Sequence, residues 1–179
     1  MLELIEPTTD LYAAFRGCRA DWGPGVHEDG FGIDDSDVVD SPDGFAAWVC
    51  RMRRQLHPAA QPCPEQPHWA PLWIIEDGRI LGAIALRHHY DDLRGWIGYG
   101  VRPSARRHGV ASWALGRVLD EAHDVLGLDR ALMVCAADNI ASARTIERCG
   151  GVLEEIRDTP FGRQRRYWID LTTDVSAGP

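Results

Sequence analysis

Between Gly95 and Ala122 the chain reads GWIGYGVRPSARRHGVASWALGRVLDEA, and this stretch restricts the fold more than any other. An apolar run ends at Val101, a basic turn with a glycine follows from Arg102 to Gly109, and a helical pattern starts at once. Ala111, Ala114, Leu115, Val118, Leu119, Ala122, Val125 and Leu126 recur at the spacing of a helix with one buried face. The stretch therefore predicts a strand, a tight turn and a helix. The first amides of a helix have no intrahelical partner and lie at the positive end of its dipole. A turn that aims them at a ligand makes an anion site. Gly109 has no Cβ to keep the backbone away, and Arg106 and Arg107 add positive charge. The expected ligand group is a pyrophosphate.

Spacing narrows the ligand. The stretch is neither GxxxxGK[ST] nor GxGxxG, and the chain contains no lysine at all. It contains Arg106-x-x-Gly109-x-Ala111. Downstream stand Asn139-Ile-Ala-Ser142 and Glu147-Arg148-Cys-Gly150, with a strand pattern between the two motifs. The first motif resembles the acetyl-CoA motif of the GNAT acetyltransferases, [RQ]xxGx[GA], and the second resembles their NxxAxxxYEKxGF. The resemblance covers roughly 72–171 and is nearest to a branch carrying Arg87-His88, an IGYxVRPS run from Ile97 to Ser104, and a terminal RYWI from Arg166 to Ile169.

The remaining pattern predicts β α α β β β α β α β β. Leu2 to Glu6 reads as a strand, Asp10 to Ala20 as a helix and Asp21 to Asp40 as a long loop. Ser41-Pro42 opens a helix that runs to about Leu56. His57 to Pro71, with five prolines, reads as irregular. Leu72–Glu76 and Arg79–Leu86 flank Asp77-Gly78, a strong hairpin signal. Strands are expected at 95–101 and 131–136, a helix at 139–149, and a final hairpin from Val152–Asp158 and Gln164–Leu171. No second domain is expected in residues 1–179: 1–71 supply acceptor-side helices and loops, and 72–171 the sheet core and acetyl-CoA site. The resemblance implies an α/β GNAT fold with a single mixed, mostly antiparallel sheet. Its two parallel central strands, here 95–101 and 131–136, splay apart and helices flank them.

Composition excludes several classes. No apolar run approaches the ~20 residues that cross a membrane. The N-terminus lacks a signal-peptide pattern. Five cysteines at irregular spacing, with no CxxC, suggest neither zinc nor a disulfide framework and fit a reduced, cytoplasmic protein. A formal charge of −8 argues against nucleic acid and favours a cationic partner. A monomer or a homodimer fits equally.

The activity implied by the resemblance is acetyl transfer from acetyl-CoA to an amine by direct attack, without an acyl-enzyme and without a metal. Arg106, Arg107, His108, Gly109, Val110 and Ala111 would cradle the pyrophosphate. A backbone amide near Gly100 and Val101 would bind the thioester oxygen. Asn139 would reach the cofactor or cap its helix, and Ser142 would lie one turn on. Many members carry a proton-donating tyrosine where Ile146 stands, and a glutamate where Trp96 stands. His88, Tyr99 and Tyr167 are therefore the candidate acid/base groups, each with a structural role as its alternative, and Tyr99 also belongs with the cofactor residues. Seven carboxylates between Glu28 and Asp43 would recruit a small cationic amine, or simply solvate a loop. A protein N-terminus is the second candidate acceptor, and an acyl-CoA-binding module without catalysis is the third reading.

Overall fold

The computed structural model describes residues 1–23, 30–56, 69–87 and 90–172. The strands are β1 (Leu2–Ile5), β2 (Trp69–Glu76), β3 (Arg79–Arg87), β4 (Ile97–Val101), β5 (Arg130–Ala136), β6 (Val152–Thr159) and β7 (Gly162–Asp170). The helices are α1 (Tyr12–Trp22), α2 (Pro42–Leu56), α3 (Val110–Asp124) and α4 (Ile140–Arg148). All ladders are antiparallel and form two segments, β1-β2-β3-β4 and β5-β7-β6. The segments meet at one bridge, Gly95 to Met133, where the Trp96 N–H donates to the Leu132 carbonyl at 2.8 Å. Beyond that point β4 and β5 carry no ladder between them, so the expected splay is a wedge with its apex at Gly95.

Alternation along the strands sorts apolar side chains into two cores, one on each face. Ile74, Ile84, Ile97 and Val101 pack beneath α3 with Leu115 and Val118. Trp73, Ile80 and Ala83 pack beneath α1 and α2 with Phe15, Phe45 and Trp48. Phe15 stacks on Trp73 at 6.1 Å and tilts against Trp48 at 5.0 Å, so large rings fill most of this second core.

Two boundaries differ from the pattern. β2 begins at Trp69, inside the stretch read as irregular, and includes Pro71 opposite Ala85. The β3–β4 ladder fixes why this is allowed. Arg87 N–H donates to Trp96 O and Arg102 N–H to Leu81 O, with no register break between them. Ala85 thus turns its backbone groups to β4, and Pro71 faces its nitrogen outward, past the end of β1, where no partner needs an N–H. The loop expected at 21–40 also loses its first residues to α1. Phe31, completely buried, then seats the described part of that loop in the aromatic core.

Candidate active site

The wedge between β4 and β5 opens into a cleft of about 1410 Å³. At its wide end the turn after β4 places Arg107 and Gly109 in the left-handed region, at φ 65° and 78°. The hydrogen-bond ladder of α3 starts with Trp113 N–H to Gly109 O at 2.9 Å. The amides of Val110, Ala111 and Ser112 therefore have no helical acceptor, and no side chain caps them. No atom lies within 4 Å of where a Gly109 side chain would begin. Arg106, Arg107, Arg144 and Arg148 line this end. Open space, uncapped amides and guanidinium groups fit the phosphates of a coenzyme A. Arg106 is anchored: its Nε donates to the Val101 carbonyl at 3.0 Å and its guanidinium stands over the Trp22 ring at 4.9 Å. His108 is exposed and does not line the cleft.

Along the wall, the ladder argument assigns the amides of β4. Residues 98, 100 and 102 turn their backbone groups to β3, as does the carbonyl of Trp96, and 97, 99 and 101 turn theirs to the cleft. The expectation placed the oxyanion-binding amide near Gly100 and Val101. Gly100 lines the cleft, but its N–H faces β3, which leaves Tyr99 and Val101 as donors there.

Tyr99 shares a face with Ile97 and Val101 and points at α4. Its hydroxyl lies 2.9 Å from the Ser142 hydroxyl and 3.4 Å from the Ser142 carbonyl. Burial pushes the phenol up to about 12, against the opposing pull of the Ser142 hydrogen bond. It holds its proton at any neutral pH. Asn139 caps α4, its side-chain oxygen accepting from the Ser142 amide at 3.0 Å, and also lines the cleft, so both of its anticipated roles fit one position. Ile146 is completely buried. Tyr167 is also completely buried and donates to Glu147 Oε1 of α4 at 3.1 Å; it is not among the cleft-lining residues, because the β7 pleat turns it into the core. His88 lies outside the described residues.

The motif residues flanking the site have positions that spacing alone did not suggest. Asp21, at the end of α1, accepts from Arg102 Nε at 2.7 Å, Ser104 N at 3.0 Å and Ser104 Oγ at 2.6 Å. These bonds, led by that from Arg102, pull the Asp21 carboxyl down to about 2. The VRPS run thus locks the phosphate turn to α1. Arg166 is buried and pairs with Asp92 at 3.1 Å and Glu154 at 2.9 Å, holding the loop before β4 on the last hairpin. A buried arginine framed by carboxylates on separate elements is not visible as a periodicity.

Part of the acidic segment is tied to α2. Asp34 pairs with Arg51 of α2 at 3.2 Å, and Asp37 bonds both Arg51 and the Asp34 amide. Arg51 also donates to the Gly32 carbonyl at 3.2 Å. These two carboxylates fasten the loop to α2. Glu28 and Asp29 lie outside the described residues. No carboxylate is among the described residues that line the cleft.

The comparisons agree with this geometry. The family model described as Acetyltransferase (GNAT) domain matches residues 20–152. The chain belongs to the GNAT acetyltransferases and is an acetyl-CoA-dependent N-acetyltransferase. No curated protein matches the sequence. Among solved structures it is similar to RimL, a ribosomal L7/L12 alpha-N-protein acetyltransferase in complex with coenzyme A, with TM-score 0.70, 17% identity and coverage of 97% of this chain and 96% of that one. It is similar to the microcin C7 self-immunity acetyltransferase MccE in complex with acetyl-CoA and AMP, with TM-score 0.66, 17% identity and coverage of 94% and 92%. A chimera of the Vibrio cholerae spermidine N-acetyltransferase SpeG and hSSAT gives TM-score 0.64, 15% identity and coverage of 96% and 96%. No helix among the described residues is long and apolar enough to cross a membrane.

Proposed function

We propose that this chain transfers the acetyl group of acetyl-CoA to the primary amine of a small molecule by direct attack. The observation that carries the reading is the cleft itself, with uncapped helix amides and arginines at its wide end and the strand amides of Tyr99 and Val101 along its wall. Acetyl-CoA supplies an activated acyl carbon. The amine nitrogen attacks that carbon, the N–C bond forms as the C–S bond breaks, nitrogen loses a proton and sulfur gains one. The Tyr99 or Val101 amide stabilises the carbonyl oxygen as it gains charge. Tyr99, protonated and bonded to Ser142, donates to the departing sulfur in place of the tyrosine missing at Ile146. The amine proton passes to solvent.

A small acceptor is favoured over a peptide terminus by the loop that walls the other face. Gly30, at φ 74°, lies so close to β3 and β4 that a Cβ would sit 2.6 Å from the Ala83 carbonyl oxygen. The loop from Gly30 to Ile33 thereby narrows the entrance that a peptide would need. Two measurements test the reading: the rise in melting temperature with acetyl-CoA, and free-thiol release across a panel of amines and N-terminal peptides. Turnover on small amines alone is expected. Turnover on peptides alone would overturn the acceptor assignment, and the absence of any acetyl-CoA stabilisation would overturn the site.

A further inference from the structure

The two ends of the cleft have separate sets of arginines, and only one set is explained by phosphates. Arg106, Arg107, Arg144 and Arg148 surround the start of α3 and face of α4. Arg87 and Arg94 line the cleft at the opposite end of β4, about 13 Å away at the rise of a five-residue strand. A coenzyme held at the wide end directs its phosphates away from them.

Their surroundings suit a ligand. Arg87 is opposite Trp96 in the ladder, so its side chain lies on the face of Gly98 and Gly100, the face toward α1 and α2. Gly98 leaves the sheet open beneath it: a Cβ there would sit 3.4 Å from the Arg87 guanidinium. That guanidinium donates to the carbonyls of Arg94 and Gly95 at 3.3 and 3.2 Å, which holds it in place. Arg94 stands over the Phe161 ring at 4.5 Å and pairs loosely with Asp91 at 3.5 Å. Asp91 directs its other oxygen to the amides of Leu93 and Arg94, and Asp92 is engaged with Arg157 and Arg166.

We infer that the acceptor carries an anionic group, a carboxylate or a phosphate, next to its amine, and that Arg94 and Arg87 bind this anion. This rests on the acetyl-transfer reading above and names its substrate class. The arrangement suits the chemistry twice. Guanidinium groups pair with carboxylate or phosphate oxygens through parallel N–H bonds. Two cations beside the amine also disfavour its ammonium form, which keeps the nucleophile neutral. Burial lowers the affinity of the Arg87 guanidinium for a proton, opposed by Asp91 and aided to a lesser extent by Arg94.

The test uses matched amines that differ only in the anion: L-phenylalanine with phenethylamine, L-arginine with agmatine, and O-phosphoethanolamine with ethanolamine. In at least one pair the anionic member is expected to show a kcat/KM about tenfold higher or more. Arg94→Gln should raise its KM about tenfold, several times more than it changes the KM of the uncharged twin. Calorimetric titration of the same compounds into the CoA-loaded protein gives a readout independent of turnover, with the same preference expected. The proposal is overturned if the twins bind and react equally or better, if Arg94→Gln affects both members alike, or if no anionic member binds. Those failures leave acetyl-CoA stabilisation intact, whereas failure of the acetyl-transfer reading removes it.

Discussion

The Tyr99 hydroxyl meets the Ser142 hydroxyl at 2.9 Å and so joins β4 to α4 at the edge of the cleft. Tyr99→Phe removes the proton and keeps the ring. If Tyr99 protonates sulfur, kcat should fall about 10²-fold while the acetyl-CoA dissociation constant moves by less than about threefold. Because burial holds the phenol up to about 12, wild-type kcat should show no basic limb from this group below pH ~11. A variant with wild-type kcat would return Tyr99 to a purely structural role.

Gly109 opens α3 at φ 78° with free space before it. Gly109→Trp should fill the phosphate approach and abolish the acetyl-CoA-dependent rise in Tm. Gly109→Asn is the control, since asparagine tolerates the left-handed region better than other side chains. The tryptophan variant should lose binding by at least about tenfold more than the asparagine variant, read by titration with CoA.

Asp21 ties α1 to the phosphate turn through Arg102 and Ser104. Its folded carboxyl is pulled to about 2, below an unfolded value of about 3.9. The stability it contributes is therefore complete above the unfolded value and is lost as pH falls from about 4 toward 2. Asp21→Asn should lower stability at pH 7 by about 2 kcal/mol, roughly 4–8 °C in Tm. The variant should lose less than wild type on acidification through that window. Parallel Tm profiles between pH 7 and pH 2 would refute the link.

The expectation that the acidic loop recruits substrate can be tested directly against its bond to α2. Asp34→Asn with Asp37→Asn should lower Tm by roughly 2–8 °C through loss of the Arg51 contacts. Substrate recruitment alone would change the salt dependence of KM and leave Tm in place.

The elements whose residues answer to their near neighbours were legible in the sequence. The α3 pattern, the Asp77-Gly78 hairpin, both of whose residues adopt positive φ, and the Gly109 turn are local, and the structure has them where periodicity and turn chemistry put them. Pairings across the fold were not legible. The link from Asp21 to Ser104 spans 83 residues, and that from Asp92 to Arg166 spans 74. Nothing in a single sequence marks which carboxylate meets which arginine. The same holds for Tyr167: alternation sets it opposite Trp168 on β7, but only the packing of the helices, with Glu147 of α4 over its hydroxyl, decides that its face is core and not cleft.

The amino-acid order by itself determined the strand, turn and helix of the proposed phosphate site, since uncapped amides and a left-handed glycine need only adjacent residues. It determined also that Ile146 cannot supply a proton. Tertiary structure alone decided the rest of the site. Strand register chose which β4 amides are free, because a ladder engages every second residue. Helix and loop packing fastened Asp34 and Asp37 to Arg51. The last hairpin and the loop before β4 placed Arg94 over Phe161.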